Sequence, residues 1–338
     1  MNKIMVTGGA GYIGSHVAAA LLRAGYEVLV VDNFVNSHRE AISRIGSAAG
    51  KQPLLAEANC ASTEQMRSVF EAHPDVIGII HLAALKSVSE SVLFPMRYHC
   101  NNVIATQVLL GEAAAQGIPL VFSSSCLVYG SPAQLPVSER TELSKAASPY
   151  AASKRLSELL IEQCVNDCAS MSAITLRYFN PIGAHPSGLL GEQPNKPENL
   201  LPLMIDVAIG RKDALTIYGN NYPTRDGTAI RDYFHVMDLA DAHVAALKRM
   251  LNKHNHSRHE VFNLGSGNGV SVLEMVHAFE QATGQSISKR IGDRRPGDIA
   301  AIWADTHLAQ TELGWQPSRT LADAISSAWA FSQNTNKQ

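Results

Sequence analysis

The glycine-rich segment from Gly8 to Gly14 constrains the fold of this chain more than any other feature of its sequence. It reads Gly-Gly-Ala-Gly-Tyr-Ile-Gly and lies between the apolar run Ile4 to Thr7 and the helical pattern His16 to Ala24. Glycines at this spacing permit a tight turn and a close approach of the backbone to a pyrophosphate, and the helix amino terminus offers free N–H donors. A strand, a glycine turn and a helix in this order predict a dinucleotide-binding fold.

An acidic residue closes the second apolar run. Asp32 follows that run, 18 residues beyond Gly14. A carboxylate at this place would accept hydrogen bonds from the adenosine ribose and would repel a 2′-phosphate. The sequence therefore favours NAD over NADP, with the alternative that Asp32 is only a solvated residue at a strand end.

Short apolar runs alternate with amphipathic helical patterns along the first half of the chain. The predicted strands are Ile4 to Thr7, Val28 to Asp32, Pro53 to Ala58, Val76 to Leu82, Leu120 to Ser123 and Ile174 to Phe179. The predicted helices between them include His16 to Ala24, Thr63 to Ala72 and Tyr150 to Cys168. This alternation predicts an α/β fold with a doubly wound parallel sheet of the Rossmann type.

After Asn180 the sequence pattern changes to Pro- and Gly-rich loops with helical patterns between them. We therefore expect an NAD-binding domain over residues 1–180 and a smaller carboxy-terminal substrate lobe over residues 181–338. Strand-like runs at Val236 to Met237 and Val261 to Leu264 predict returns to the large domain near 234–240 and 260–265.

Composition excludes several classes of function. The 338 residues carry a net charge of -2, which gives no basic field for nucleic acid or an anionic membrane. Five cysteines lack metal-site spacing and fit a reducing cytoplasm, so we expect no metal centre and a cytoplasmic protein. No apolar run reaches membrane-spanning length, and the first residues leave no room for a signal peptide before the glycine turn.

Tyr150 and Lys154 are the candidate chemical groups. They lie four residues apart after Ser148, so the phenol and the ammonium share one face of a predicted helix. Ser125 follows an apolar strand, at the edge where ligands of open α/β sheets bind. We interpret Tyr150 as a general base whose pKa, about 10 when free, is lowered by Lys154 and a nicotinamide ring. The alternative is a surface tyrosine and lysine that only share a helix face.

Three motifs together resemble the extended short-chain dehydrogenase/reductase superfamily. They are T-G-x-x-G-x-x-G over residues 7–14, S-S-S-x-x-V-Y-G over residues 123–130 and Y-x-x-x-K over residues 150–154. Further matches, among them Leu-Arg-Tyr-Phe-Asn-Pro over residues 176–181 and Trp-Ala-Asp over residues 303–305, resemble the UDP-glucose (UDP-galactose) 4-epimerases. The resemblance covers about residues 3–329.

The resemblance implies an isomerase that inverts the C4 hydroxyl of a UDP-hexose with NAD. Tyr150 would take the C4 hydroxyl proton, Ser125 would share that hydroxyl, and Lys154 would hold the nicotinamide ribose. The 4-keto sugar would turn, present its other face and regain hydride, so that NAD is regenerated. Relatives form homodimers through the helices that correspond to residues 101–115 and 150–168, which implies a homodimer here.

The same resemblance assigns binding residues by motif. The cofactor residues are Gly8, Gly11, Tyr12, Ile13, Gly14, Asp32, Asn33, Asn36, Ser37, Asn59, Cys60, Lys86, Asn101, Tyr150, Lys154 and Tyr178. The substrate residues are Ser125, Tyr150, Asn180, Asn199, Leu200, Thr216, Tyr218, Arg231, Tyr233, Arg295, Asp298 and Ile302. Among these, the two arginines would hold the diphosphate, Thr216 and Tyr218 would border the uracil, and Asp298 would take the uridine ribose.

Three positions depart from the family pattern. Leu127 replaces a threonine whose hydroxyl would help Ser125, and Asn59 replaces an acid that contacts adenine. Ile302 stands where hexose-specific relatives carry a bulky tyrosine and relatives that accept N-acetylhexosamines carry a small residue. Acceptance of UDP-GlcNAc and UDP-GalNAc is therefore open.

Two other functions are compatible with this scaffold. A nucleotide-sugar 4,6-dehydratase or decarboxylase also begins by oxidising C4, but it needs an acid after the serine run, where Cys126, Leu127 and Val128 supply none. A non-catalytic NAD sensor would retain the glycine turn and would have no use for both Tyr150 and Lys154.

Overall fold

The computed structural model describes residues 2–194, 196–295 and 298–335. The strands β1 to β13 are Lys3–Thr7, Glu27–Asp32, Leu54–Glu57, Val76–His81, Leu120–Ser123, Ala173–Tyr178, Asn180–Ile182, Leu215–Tyr218, Ile230–Arg231, Tyr233–His235, His259–Leu264, Val270–Ser271 and Lys289–Gly292. The helices α1 to α12 are Tyr12–Arg23, Glu40–Ala49, Thr63–Ala72, Val88–Leu93, Pro95–Tyr98, Ile104–Gln116, Pro149–Asp167, Leu200–Ala208, Val236–Leu251, Val272–Thr283, His307–Thr311 and Leu321–Thr335.

A seven-stranded parallel sheet forms the large part of the molecule. Its strand order is β11-β6-β5-β4-β1-β2-β3, and every neighbouring pair runs parallel. The order reverses between β1 and β4, which is the switch point where open α/β sheets bind ligands. The predicted doubly wound Rossmann-type sheet is confirmed.

Apolar side chains cover both faces of this sheet, as its alternating strands require. On β1, Ile4 and Val6 face one core with helices α1 and α9, and Met5 faces the other core with α3, α6 and α7. All three side chains are fully buried. Burial on both faces explains why the strands are continuous apolar runs in the sequence.

The carboxy-terminal part adds a smaller lobe with its own core. Leu201 and Met204 of α8, Phe279 of α10 and Ile325 of α12 are buried together against Ile217 of β8. Three two-stranded pairs, β7 with β10, β8 with β13 and β9 with β12, accompany these helices. The division at residue 180 stays a prediction, since the chain alternates between the lobe and the large sheet after that point.

Of the two predicted strand-like returns, one is a strand and the other is not. Residues 261–264 lie in β11, the edge strand that pairs with β6. Val236 and Met237 instead begin α9, so their interpretation as a strand is wrong. His235 caps this helix by accepting a hydrogen bond from the Met237 N–H at 3.0 Å. The apolar residues that follow recur at helical spacing and pack on the large sheet.

Within the described ranges, no helix combines the length and the apolar character that crossing a bilayer requires.

We expect Leu176→Ala to destabilise the protein by about 2–5 kcal/mol, because it leaves a cavity under β6, where Leu176 is fully buried. The matched control is Leu55→Ala on β3, where the side chain is 40% exposed and truncation should cost less than about 1 kcal/mol. Chemical denaturation of both variants measures the difference in the free energy of unfolding. Equal losses would contradict the placement of β6 inside the sheet.

Candidate active site

The glycine turn between β1 and α1 is shaped by backbone packing. Gly8 has a φ of +67°, and its N–H donates to the Val31 carbonyl at 2.8 Å. A Cβ at Gly8 would lie 2.7 Å from the Ala83 nitrogen, and one at Gly14 would lie 2.1 Å from the Gly8 carbonyl oxygen. Gly11 is the N-cap of α1 and has no side chain to cap it. The first N–H groups of α1 therefore remain available to an anion.

Asp32 closes β2 beside this turn and is 8% exposed. One carboxylate oxygen accepts from the Ala10 N–H at 3.0 Å, and the other accepts from the Phe34 N–H at 2.9 Å and from the Ser37 hydroxyl at 2.8 Å. A carboxylate has about four acceptor positions, so one is left for a ribose hydroxyl. Free helix N–H groups beside a fixed, ionisable acid fit the pyrophosphate and the ribose of NAD.

The other predicted cofactor residues lie around the same carboxyl edge of the sheet. Asn59 follows β3, and its Oδ1 accepts from the Ala61 N–H at 3.0 Å, so one of its acceptor positions is already used. Cys60 is buried, and burial raises the pKa of its thiol to about 12. Asn101 lies in a π-helical turn and donates to Asn102 at 3.0 Å.

Four predicted cofactor residues lie nearer the lobe or at the rim. The Tyr12 hydroxyl donates to the Gly183 carbonyl at 2.8 Å and so joins α1 to the lobe. Lys86 is exposed and pairs with Glu192 at 3.2 Å. The remaining two, Asn33 and Asn36, are exposed in the loop after β2.

Tyr150 and Lys154 lie on the buried face of α7. Ser148 caps this helix by accepting from the Ala151 N–H at 3.2 Å. Tyr150 is 8% exposed and Lys154 is 4% exposed, so the alternative of a surface pair is wrong. Lys154 Nζ donates to the Ser123 carbonyl at 2.7 Å and lies 4.9 Å from the centroid of the Phe122 ring.

Burial dominates the ionisation of both groups. It raises the pKa of Tyr150, and interaction with the Ser125 hydroxyl opposes that rise. The pKa of Tyr150 is therefore raised in the structure, whereas we expected Lys154 and a nicotinamide ring to lower it. Burial lowers the pKa of Lys154 to about 8, and Glu158 acts against this fall. Lys154 is thus mostly protonated at neutral pH, but its pKa lies only slightly above that pH.

Several of the predicted substrate residues contact one another in the lobe. Arg231 on β9 forms a hydrogen-bonded ion pair with Asp298. Arg295 is exposed and lies 3.9 Å above the Tyr218 ring. These contacts bring the predicted diphosphate, ribose and uracil residues together in one part of the lobe. Thr216 is on β8 beside them and accepts from Arg290 at 3.0 Å.

Asn180 joins the two halves of the site. It begins β7, and its N–H donates to the Asp232 carbonyl at 2.9 Å. Its side-chain Oδ1 is buried and has no hydrogen-bond partner within the described part of the protein. A buried acceptor without a partner is costly, and a ligand hydroxyl or N–H would satisfy it.

The remaining substrate residues take different positions. Asn199 is the N-cap of α8 and donates to Glu192 at 2.8 Å, and Leu200 begins that helix. Tyr233 and Ile302 are buried, at 7% and 0% exposure. Ile302 packs with the residues around the serine turn, which are Cys126, Val128, Tyr129 and Phe179.

Sequence reasoning missed a buried ionic network behind the serine turn. Glu158 accepts from the Ser124 hydroxyl at 2.5 Å and from Arg177 at 3.1 and 2.7 Å. Arg177 also donates to the Tyr129 hydroxyl at 3.1 Å. The available signal was the position of Glu158, which lies eight residues after Tyr150 and therefore on the same helix face.

A second group missed from the sequence is Asp232, which is fully buried between β9 and β10. Its carboxylate accepts from the Ser266 N–H and hydroxyl at 2.7 and 2.6 Å, and from the N–H groups of Gly267 and Ala304 at 3.1 Å each. It ties together three chain segments next to Arg231. Burial raises the pKa of this carboxyl above its usual range.

Residues 4–265 match the NAD dependent epimerase/dehydratase family. Among the chain's relatives, the UDP-glucose 4-epimerase of Bacillus subtilis (strain 168) is 45% identical and that of Erwinia amylovora is 46% identical. The alignments cover 98% of both chains for the first relative and 99% of both for the second.

Two solved structures share the fold at 40% identity. The UDP-glucose 4-epimerase of Stenotrophomonas maltophila, with bound NAD and formylated UDP-arabinopyranose, has a TM-score of 0.95 and covers 100% of this chain and 99% of its own. That of Bifidobacterium longum, in complex with NAD+ and UDP, has a TM-score of 0.93 and covers 99% of both. This chain therefore belongs to the NAD dependent epimerase/dehydratase family, in its branch of UDP-glucose 4-epimerases.

Proposed function

We propose that this protein is an NAD-dependent enzyme that interconverts UDP-galactose and UDP-glucose through a transient 4-keto sugar. The observation that carries the proposal is the buried group of Tyr150, Lys154 and Ser125 at the carboxyl edge of the sheet. The buried Oδ1 of Asn180, which has no hydrogen-bond partner among the described residues, offers a further acceptor to a ligand. Relatives aligned over nearly the full length are UDP-glucose 4-epimerases, which supports the same assignment.

Tyr150 is the group that moves the proton. Its phenolate would take the proton of the C4 hydroxyl, and the Ser125 hydroxyl would hold that oxygen in place. The positive nicotinamide ring of bound NAD would favour the ionised form of Tyr150 against the effect of burial. Lys154 contributes a positive charge beside the nicotinamide ribose, and the Ser123 carbonyl at 2.7 Å fixes its position. When bound, NAD would supply the hydride acceptor for C4 and, in its reduced form, the hydride donor for the other face of the 4-keto sugar.

The lobe residues hold the nucleotide and leave the hexose free to turn. Arg231 and Arg295 carry charges that suit bidentate bonds to a diphosphate, and Asp298 beside them suits a ribose hydroxyl. Asn180, Asn199 and Leu200 would contact the UDP moiety. Thr216 and Tyr218 would border the uracil. Strong contacts to UDP and weak contacts to the sugar allow the 4-keto group to present both faces, which is a use of binding energy away from the reacting carbon.

A dehydratase would need an acidic residue directly after the serine run, and this chain has none there. Cys126 is the residue directly after the serine run, and burial raises the pKa of its thiol to about 12. Leu127 and Val128 carry no ionisable group. The NAD-sensor alternative gives no reason to bury Lys154 beside Tyr150, since burial of an ammonium is costly.

The size of the sugar pocket depends on the cluster around Ile302. This side chain is fully buried behind the Cys126–Tyr129 turn and is intermediate in volume between tyrosine and a small residue. The hexose is the substrate we propose, and UDP-GlcNAc and UDP-GalNAc are the candidates for an additional substrate pair. An assay with UDP-GlcNAc decides between the two specificities.

We also propose that the protein acts as a cytoplasmic homodimer. Large apolar side chains are exposed along α4 to α7, which suits a partner surface. They are Val88, Val92, Leu93, Phe94, Met96, Ile104, Leu156 and Leu159, and their exposure ranges from 37% to 72%. Helices α6 and α7 correspond to the helices that pair in relatives, and the five cysteines are free thiols, as a reducing compartment would keep them.

The first test is turnover of UDP-galactose without added nucleotide and again with NAD, with the sugar products resolved by chromatography. We expect UDP-glucose without net NADH. We expect Tyr150→Phe to lose about 10²- to 10⁴-fold in kcat, because it removes the proton-transferring hydroxyl. Tyr26→Phe, at a partly buried tyrosine outside the site, is the matched control. A stable 4-keto or deoxy product, or full activity of Tyr150→Phe, would overturn the proposal.

We expect Gly14→Ala to weaken NAD binding about tenfold or more, since its Cβ would meet the Gly8 carbonyl oxygen at 2.1 Å and displace the turn. The control is Gly111→Ala, where a Cβ meets nothing within 4 Å. Calorimetric titration of NAD into both folded variants gives the dissociation constants. An unchanged constant for Gly14→Ala would place the dinucleotide elsewhere.

We expect Leu159→Glu to shift a dimer toward monomer about tenfold or more, because a charge would be buried in the apolar contact of α7. Ile291→Glu on β13 is the control, since both side chains are 53% exposed. Light scattering after size exclusion measures the masses. If both variants retain the dimer, the exposed face of α7 is not the interface.

A further inference from the structure

We propose that Glu158 is a positioning residue of this reaction, which holds Lys154 in its ammonium form and fixes the serine turn through Ser124. This inference rests on the proposed function, because it gives Lys154 and Ser125 their roles in catalysis. In this assignment, Glu158 contacts neither NAD nor the UDP-sugar. It would act through its neighbours on α7 and on the turn after β5.

The geometry of α7 places Glu158 one turn beyond Lys154. Tyr150, Lys154 and Glu158 are spaced by four residues each, so they form a row along the buried face of the helix. The side chain of Glu158 is 9% exposed, and so is that of its partner Arg177. A carboxylate this deeply buried is retained at a cost, which a purely structural helix position does not require.

Glu158 is held from two sides. Arg177 on β6 forms a bidentate pair with its two oxygens at 3.1 and 2.7 Å. The Ser124 hydroxyl donates to Oε1 at 2.5 Å. Arg177 is held in turn by the Tyr129 hydroxyl at 3.1 Å, which itself donates to Asn263 Oδ1 at 2.6 Å. The carboxylate therefore has a fixed place relative to both β6 and the serine turn.

Ser124 connects this network to the reacting group. It lies between Ser123, whose carbonyl accepts from Lys154 Nζ, and Ser125, which we place on the substrate hydroxyl. Its N–H donates to the Leu176 carbonyl at 2.8 Å, and its hydroxyl is used by Glu158. Both the N–H and the hydroxyl of Ser124 are thus hydrogen-bonded. The orientation of the neighbouring Ser125 therefore depends on contacts that include Glu158.

The charge on Lys154 depends on few groups. His81 on β4 faces Lys154, and burial lowers its pKa to about 3, so it is neutral. Tyr178 on β6 is neutral at pH 7, because burial raises its pKa, and burial also raises the pKa of Tyr150 on α7. Ser123 and Phe122 of β5 contribute a carbonyl and a ring face.

Glu158 supplies a negative charge that opposes the effect of burial on Lys154. Burial lowers the pKa of Lys154 to about 8, and the negative charge of Glu158 raises it. Without the carboxylate, Lys154 would lose its proton at a lower pH, nearer to the conditions under which the enzyme works.

The test is the pH profile of kcat for UDP-galactose turnover between pH 5.5 and 9.5. Lys154 serves in its protonated form, so activity is present below its pKa and is lost as pH rises through it. Glu158→Gln should move this alkaline limb down by about one pH unit, which is about a tenfold loss at the upper end of the range. Glu162→Gln, an exposed residue one turn further along α7, should leave the limb in place.

Two more variants separate charge from position. Ser124→Ala keeps the carboxylate and removes its 2.5 Å hydrogen bond, so we expect lower kcat at every pH with the alkaline limb unmoved. If Glu158→Gln does not fold because Arg177 is left unpaired, Glu158→Gln with Arg177→Met removes both charges and should fold. That double variant should show the same shift of the limb.

The outcomes distinguish this inference from the proposed function. An alkaline limb that stays in place in folded Glu158→Gln, or in the double variant, overturns the inference while turnover by the unaltered protein upholds the epimerase. Absence of turnover by the unaltered protein overturns the proposed function instead. A purely structural Glu158 would lower the thermal midpoint and scale kcat equally at all pH values.

Discussion

The parallel pairing of the central strands is the constraint on which the site depends. Backbone hydrogen bonds set the register so that Thr7 lies beside His81, and Ser123 lies beside Leu176. The carboxyl ends of β1, β4, β5 and β6 therefore finish at one edge of the sheet. The glycine turn, the serine turn and the strand that leads to Asn180 all leave the sheet there. No single side chain assembles this site, because the strand register brings the loops together first.

Helix α7 brings the ionisable side chains to that edge, and it packs on a layer of buried polar side chains. Beneath it, the Ser157 hydroxyl accepts from Thr106 at 3.0 Å, and His81 is hydrogen-bonded to Thr7 at 2.7 Å. These buried groups satisfy one another, so a helix with a tyrosine, a lysine and a glutamate on its inner face can pack against the sheet. Two leucines, Leu156 and Leu159, are exposed on its outer face, next to polar residues such as Glu162. Helix α7 therefore combines buried ionisable groups on its inner face with an apolar pair on its outer face, where we propose the subunit contact.

The sequence predicted the strands of the large sheet to within about two residues, since strands buried on both faces are distinct apolar runs. It failed at Val236 and Met237, because two apolar residues have no period, and the cap by His235 that starts a helix there is a matter of geometry. The ionisable residues were predictable where they belong to a local motif, as for Tyr150 and Lys154.

Asp232 and Glu158 were not predictable in the same way. Their partners lie 19 to 72 residues away in the sequence, and only the folded chain brings those donors to the two carboxylates. Local spacing could point to the helix face of Glu158 but not to Arg177 across from it. The general rule for this fold is that local motifs reveal the groups that meet the ligands, and tertiary contacts reveal the groups that hold them.

The close packing of the glycine turn has a consequence for how such chains are interpreted. Gly8 and Gly14 have no space for a Cβ because the backbone of Ala83 and of the turn itself fills it. Selection for folding alone would therefore preserve both glycines, whatever chemistry the chain performs. A descendant that lost its tyrosine and lysine could retain the entire turn, so the turn is a signature of architecture. The pair on α7 is the diagnostic part, because burying a lysine brings the fold no benefit that an apolar residue would not bring.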